Sequence, residues 1–443
     1  MKIFETFGNA FKIKELRTRI FITLALLVVF RFGAHIPLPG VNQSAIEEFQ
    51  RQAAGTLGGL WELLQIFSGG ALSALALCSL GIMPYITASI IISLLTKINP
   101  TLEAIAKEGP SGYRKINQYT RLLTIPIAFM QAMMGVRAMW GREVTKGVQL
   151  IPADVGFGSI LVMAIGLTAG AMFIMWLGEQ ITEHGIGNGA SVLIMAGIVA
   201  RLPSITMGLI ENVRKGQTKA DALVIIYVVY VFTIVAIVFV TQSQRRIPVQ
   251  NAKQWRGQKV TLAQRSYIPL KVNQAGVMPV IFASSLLVIP SLLGFIPGLG
   301  GIRDIFWRGT FVFVVFYAAM IFFFSYFWTF LFFPPDEWAK NLKEYGSFIP
   351  GVRPGNNTAE YLDRILKRIT LCGAAFLCAV ALLPDLLASQ MDIERRLVTF
   401  VGGTGLLIVV GVCQDLAQKI ESYLLIHQYS GFMDGKGTMR ARR

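Results

Sequence analysis

Charge is scarce in this sequence. Asp, Glu, Lys and Arg make up 15% of the 443 residues while 54% are hydrophobic, against about a quarter charged in soluble domains. The shortage is sharpest inside the long apolar runs, whose centres carry essentially no Asp, Glu, Lys or Arg. Ion-coupled carriers and proton pumps keep such groups at mid-membrane, so their absence weighs against that class. Histidine is rarer still: His35, His184 and His427 lie far apart, and no metalloprotease spacing exists. No GxxxxGK[ST] loop is available to hold nucleotide phosphates, and Gly402-Gly403-Thr404-Gly405 opens an apolar run with no lysine beside it. An intramembrane enzyme lacks any nucleophile–base or metal pairing to work with. The four cysteines, Cys78, Cys372, Cys378 and Cys413, all sit in apolar runs; they read as small buried hydrophobes, without disulfide or metal spacing. No metal or cofactor is expected.

What is present is a series of ten apolar segments long enough to cross a bilayer, at about 20 residues each. They run over 20–38, 72–96, 122–141, 157–177, 190–208, 221–240, 275–296, 310–333, 370–390 and 397–416. With the N-terminus inside, the cytosolic segments hold 28 of the 41 Lys and Arg, and the other 13 lie in the outer segments or, as Arg31, Arg137 and Arg201, within the outer parts of spans. That bias places both termini in the cytosol. The opening MKIFETFGNAFKIKELRTRI is amphipathic and reads as a cytosolic helix over 1–19, neither a signal peptide nor an Arg- and Ser-rich transit segment. Ten spans divide into an N-terminal half over 20–208 and a C-terminal half over 209–416, with a cytosolic tail over 417–443. Five being odd, the second half starts on the opposite side, the inverted arrangement of many transporters. No letter-for-letter repeat accompanies it. The composition is that of a passive conduit that borrows its energy.

Three stretches stand out within this frame. In Thr56–Thr96, an apolar helix over Leu57–Phe67 is split from the second span by Ser68-Gly69-Gly70. At 1.5 Å per residue it reaches only about 17 Å, too short to cross, so it folds back into a protein-lined cavity or lies at the interface. In the second span, Ile82 and Ile86 share a helix face and Pro84 is expected to kink the helix. The pair is either ordinary packing or an apolar collar of the kind that gates by dewetting. The cytosolic loop 241–274 carries Arg245, Arg246, Lys253, Arg256, Lys259, Arg265 and Lys271 without one acidic residue. Arg256-Gly257-Gln258 suits a hairpin turn. Its charge serves topology alone, or it docks an acidic protein surface or structural RNA. In the loop 334–369, two Pro-Gly units flank Arg353 in FIPGVRPG, stiffening the tip and holding the guanidinium outward. The acceptor-like Asn356-Asn357-Thr358 falls on the cytosolic side and is discounted.

Taken in order, FRFGAHIPLPGV, FSGGALSALALCSLGIMPYITASIIISLL, KEGPSGYRKINQYTR, MWLGEQITEHGIGNG, QRRIPVQNAK, IPLKVNQAGVMPVIFASS and FIPGVRPG resemble the SecY family, the central subunits of bacterial protein-conducting channels. The resemblance covers nearly the whole chain. It implies an all-α membrane protein whose ten transmembrane helices form two inverted five-helix halves around a polypeptide pore. Motif by motif, it puts the apolar pore ring on Ile82, Ile86, Ile194, Ile281 and Ile408. Ala190 departs from the pattern, standing where related sequences often carry a bulky aliphatic residue. The re-entrant helix over 57–72 matches the plug, with Leu57, Trp61, Leu64, Phe67, Ser68, Gly69 and Gly70. A lateral gate for signal sequences is implied between the second and seventh spans, at Thr87, Gln131, Ser284 and Ser285. Arg245, Arg246, Lys253, Arg256 and Arg353 fall in the two cytosolic loops that meet the SecA motor or the ribosome. The partners implied are SecE, SecG, SecA ATPase, ribosomes, signal-bearing preproteins and membrane lipid. The location implied is the bacterial cytoplasmic (inner) membrane. The different-class alternative is a secondary transporter of small molecules, which would need polar ligands at mid-membrane.

Overall fold

The computed structural model describes residues 13–46, 48–50, 65, 67–141, 143–145, 148–152, 156–216, 220–251, 255–256, 259–260, 265–293, 310–391 and 403–433. It is predominantly helical. The helices are α1 (Lys14–Gly33), α2 (Met83–Ile98), α3 (Pro100–Lys107), α4 (Pro110–Met139), α5 (Phe157–His184), α6 (Gly189–Arg214), α7 (Ala220–Gln242), α8 (Met278–Leu293), α9 (Phe311–Phe332), α10 (Pro335–Glu344), α11 (Asn356–Met391) and α12 (Thr404–Met433). Short strands are β1 (Glu143–Thr145), β2 (Val148–Gln149), β3 (Gln244–Asn251), β4 (Trp255–Arg256), β5 (Lys259–Val260), β6 (Arg265–Lys271) and β7 (Ser347–Phe348). Two compact units result: Met1–Met207 with Val412–Arg443, and Gly208–Gly411.

Each of the ten apolar windows contains a helix, but helix and window differ in extent. Among the described residues, five helices pass as spans by length and composition; a sixth counts if α2 and α3, bent by 100°, form one. Helices α4, α11 and α12 extend well past their windows, to Pro110, Asn356 and Met433. A hydropathy window marks only the apolar middle, whereas backbone hydrogen bonding continues wherever the residues are good helix formers. For the same reason α1 runs unbroken past residue 19, with no glycine or proline before Gly33, so, among the described residues, 14–19 continue into the first span without a break. Outward faces are apolar too. On α7, Phe232 and Phe239 are 72% and 74% exposed, which in a helix this apolar means contact with lipid.

The expected second span needs correction. Helix begins only at Met83; residues 71–82 form successive turns and an isolated bridge. Their backbone bonds to the strand-like chain after α1, Leu38 N donating to Leu75 O at 3.0 Å and Leu77 N to Ile36 O at 2.8 Å. Gly81 (φ 57°) and Leu75 (φ 44°) take left-handed conformations, which end a helix but leave hydropathy untouched. Pro84, expected to kink this span, instead lies in the first turn of α2, where its missing N–H costs no hydrogen bond.

In the first unit α4 packs on α2 and α5, and α1 on α5. Ala132 and Ala164 are fully buried between α4 and α5, in a cluster with Val136, Met163 and Leu167; small side chains let membrane helices approach closely. In the second unit α9 packs on α8 and α11, and α10 on α11. Phe282 meets Phe324 edge-on and Trp328 at centroid distances of 5.9 and 5.0 Å.

Candidate constriction and basic platform

The five expected constriction residues are each at most 5% exposed. Ile82, Ile86 and Ile194 come from the first unit. Ile82 caps α2, and its carbonyl accepts from Ile86 N at 3.1 Å, so the two side chains stack one turn apart. A Cβ placed on Gly178 of α5 would lie 3.4 Å from Leu193 Cδ1, 3.6 Å from Ala190 N and 3.6 Å from Ile82 Cδ1. The absent side chain therefore lets α5, Ile82 and the start of α6 converge. Leu193, 1% exposed, belongs to this apolar contact; only its place beside Ile194 could have pointed to it. Ala190 stands where the backbones of α5 and α6 come close, which favours a small residue. In the second unit, a Cβ on Gly411 of α12 would overlap Val277, and Ile281 N donates to Val277 O at 3.2 Å. Ile281 and Ile408 thus sit on α8 and α12 within a turn of where these chains touch.

The four candidate gate residues are polar but quiet. Thr87 Oγ1 donates to Met83 O at 3.1 Å, Ser284 Oγ to Val280 O at 2.7 Å and Ser285 Oγ to Ile281 O at 2.8 Å. Each buried hydroxyl is satisfied by its own helix. Gln131 is half-buried on α4.

Of the plug residues, Leu57, Trp61 and Leu64 lie outside the described residues. Phe67 and Ser68 are buried, Gln65 and Phe67 are helical, and Gly69 and Gly70 follow at φ 63° and 87°.

The two basic loops prove to be one surface. β3 pairs antiparallel with β6, and β7 joins the other edge of β3 through Gln250↔Phe348 and Asn251↔Ser347. Alternation sends Ile247 and Val249, with Ile268 and Leu270, into a core against Phe333, Ile349, Leu362, Ile365 and Leu366. Arg246 takes the opposite face, its guanidinium 4.9 Å over the Tyr267 ring. Arg245 lies opposite Leu270 on the core side by register yet is exposed. The neighbouring arginines therefore leave the strand in opposite directions. Tyr267 is 51% exposed, and nothing but strand alternation could have flagged it. β4 and β5 pair antiparallel, with Arg256 opposite Lys259; Gly257 and Gln258, where the hairpin turn is expected, lie outside the described residues. Lys253 lies outside the described residues.

Arg353 projects from a braced tip. Ile349 is buried, Val352 packs on the same core and donates its N–H to Ile349 O at 3.1 Å. Gly351 and Gly355 supply the left-handed positions (φ 83° and 104°), and the buried Thr358 hydroxyl holds Arg353 O at 2.9 Å. Arg353 itself is exposed. Among the described residues no cluster of His, Cys, Asp and Glu could hold a metal ion. The cysteine expectation holds only in part: Cys78 is buried and Cys378 intermediate, but Cys372 and Cys413 are exposed, since apolar runs here also face lipid.

A family model for SecY matches residues 76–417. The chain belongs to the SecY family. It is 44% identical over 428 residues to the protein translocase subunit SecY of Pseudomonas aeruginosa, covering 95% of this chain and 94% of that one. To the SecY of Escherichia coli K12 it is 42% identical over 424 residues, covering 94% and 93%. A solved protein-conducting channel aligns at TM-score 0.65 with 17% identity, covering 94% of each chain. Sec61 in the canine ribosome–channel complex from the endoplasmic reticulum aligns at TM-score 0.60 and 16% identity, again covering 94% of each. The protein is thus a multi-pass membrane protein and a protein-conducting channel subunit of the SecY kind. A small-molecule carrier has no support.

Proposed function

We propose that this chain is the pore of a bacterial secretory translocon in the cytoplasmic (inner) membrane, with ten spans in two inverted halves and both termini in the cytosol. Extended, unfolded polypeptides thread a collar formed by Ile82, Ile86, Ile194, Ile281 and Ile408. The observation that carries this reading is their chemistry: all five are buried isoleucines, which offer no hydrogen bond to a passing chain. Such side chains exclude water and ions without holding any one sequence. The segment 57–72 closes the path as a plug. Thr87, Gln131, Ser284 and Ser285 serve the lateral exit, where a segment of about 20 apolar residues is more stable in lipid than in a wet pore. The self-satisfied hydroxyls of Thr87, Ser284 and Ser285 suit a surface that must part without leaving unpaired donors.

The chain catalyses nothing in this scheme. Energy and direction come from a motor or a translating ribosome docked on the basic platform, through Arg245, Arg246, Lys253, Arg256 and Arg353. SecA ATPase is the motor, and SecE and SecG complete the channel around signal-bearing preproteins. Support for one docking platform comes from the sheet that ties the two loops together.

Crosslinking tests the collar. A stalled secretory chain with a photoreactive or cysteine probe should link to single cysteines at 82, 86, 194, 281 and 408. Links formed only at lipid-facing controls such as Phe232 would overturn the assignment.

A further inference from the structure

Arg31 is one of the few cations that fall inside an apolar window. It stands in the last turn of α1, and its Nη1 donates to Gly69 O at 3.0 Å. A charged side chain within a span is costly unless it is partnered or functional. Among the described residues, the hydrogen-bond partner of its guanidinium is a backbone carbonyl on the Ser68-Gly69-Gly70 turn. That carbonyl follows helical Gln65 and Phe67, at the end where unpaired carbonyls accumulate and a cation is favoured.

The turn is seated as well as bonded. Gly70 N closes it by donating to Gln65 O at 3.1 Å. A Cβ on Gly69 would come within 2.8 Å of Phe30 Cζ and 3.2 Å of Gly197 Cα, so only glycine lets the turn lie on α1 and α6. On the other side, the Arg201 side chain runs past Gly70, with Cδ and Cγ 3.7 and 3.8 Å from where a Cβ would sit. A turn free to swing outward has to leave this seat and give up the Arg31 bond together.

We infer that Arg31 is a positioning residue that latches the Ser68-Gly69-Gly70 turn and so sets how firmly the channel is closed at rest. The inference rests on the plug reading above and adds to it a named holding contact. Gly69 supplies the shape of the seat, and Arg31 supplies the bond that opening must break.

Resting ion conductance of the purified, fully assembled channel in planar bilayers tests it. Arg31→Gln should raise conductance about tenfold, the size of one lost charge-assisted hydrogen bond. Arg31→Lys, which keeps a donor but not the fork, should raise it less. Deleting residues 57–67 should itself cause leak, and adding Arg31→Gln to that deletion should cause no more. Motor-driven translocation by each variant shows that the channel is folded. If the deletion leaks and Arg31→Gln does not, the latch is wrong while the plug reading stands. If neither leaks, the plug reading fails and takes the latch with it. If the two effects multiply in full, Arg31 acts elsewhere and the latch is again wrong.

Discussion

Gln250 pairs with Phe348 across the edge of the three-stranded sheet. Through that register position the strand bearing Arg245 and Arg246 is fixed to the segment that leads, five residues later, to Arg353. Two loops counted separately along the chain are held in one piece, on one apolar core. A partner that touches both meets a rigid surface and pays little ordering entropy to bind it.

Replacing Arg353 with Glu should block motor-driven export while leaving the channel assembled. The side chain is exposed and its tip is braced from below, so charge reversal changes recognition more than folding. SecA-dependent translocation into vesicles should fall by about tenfold or more, the scale of a lost interfacial charge pair. Unchanged translocation would remove this loop from the docking surface.

Arg246 and Tyr267 should behave as a coupled pair. A cation over an exposed ring contributes about 0.5–1 kcal/mol. A double-mutant cycle of Arg246→Ala and Tyr267→Ala, read as motor or ribosome affinity, should return a coupling of about that size. Strict additivity would mean that the ring does not orient the guanidinium for its partner.

The brace can be weakened without touching any charge. Ile349→Ala removes a buried side chain from the core under the sheet and should cost about 2–5 kcal/mol of stability. Thr358→Val removes the hydroxyl that holds Arg353 O, for about 1 kcal/mol. Thermal unfolding in detergent should rank them in that order, and export by Thr358→Val should fall less than by Arg353→Glu. The reverse order in either assay would refute the bracing role.

Two glycines should respond in opposite directions. A Cβ on Gly170 would overlap the carbonyl of Leu77, which is backbone and cannot step aside, so Gly170→Ala should destabilise by about 1–3 kcal/mol. Gly135 lies inside α4 with nothing within 4 Å of its would-be Cβ, and Gly135→Ala should be neutral or stabilise by up to about 1 kcal/mol. Equal effects would mean that the close approach of α5 to residues 71–82 carries no load.

Much of this molecule was legible before any coordinates. Long uncharged runs can satisfy their backbone in lipid only as helices, so composition alone dictates a multi-pass helical protein, and every apolar window contains a helix. Ile82 and Ile86 on one helix face and the exposed Arg353 were likewise named from local patterns, whereas Ile194, Ile281 and Ile408 came only from the family resemblance. What stayed hidden depends on contacts between distant residues. Hydropathy could not see that residues 71–82 bond sideways to Ile36 and Leu38, because the small apolar residues that build those turns score like a span. Nor could it join β7 to β3, since register is set by partners far along the chain. The same holds for Arg31: its place near the end of a span was plain from the sequence, but only the packing of α1 against the Gly69 turn gives the charge a partner.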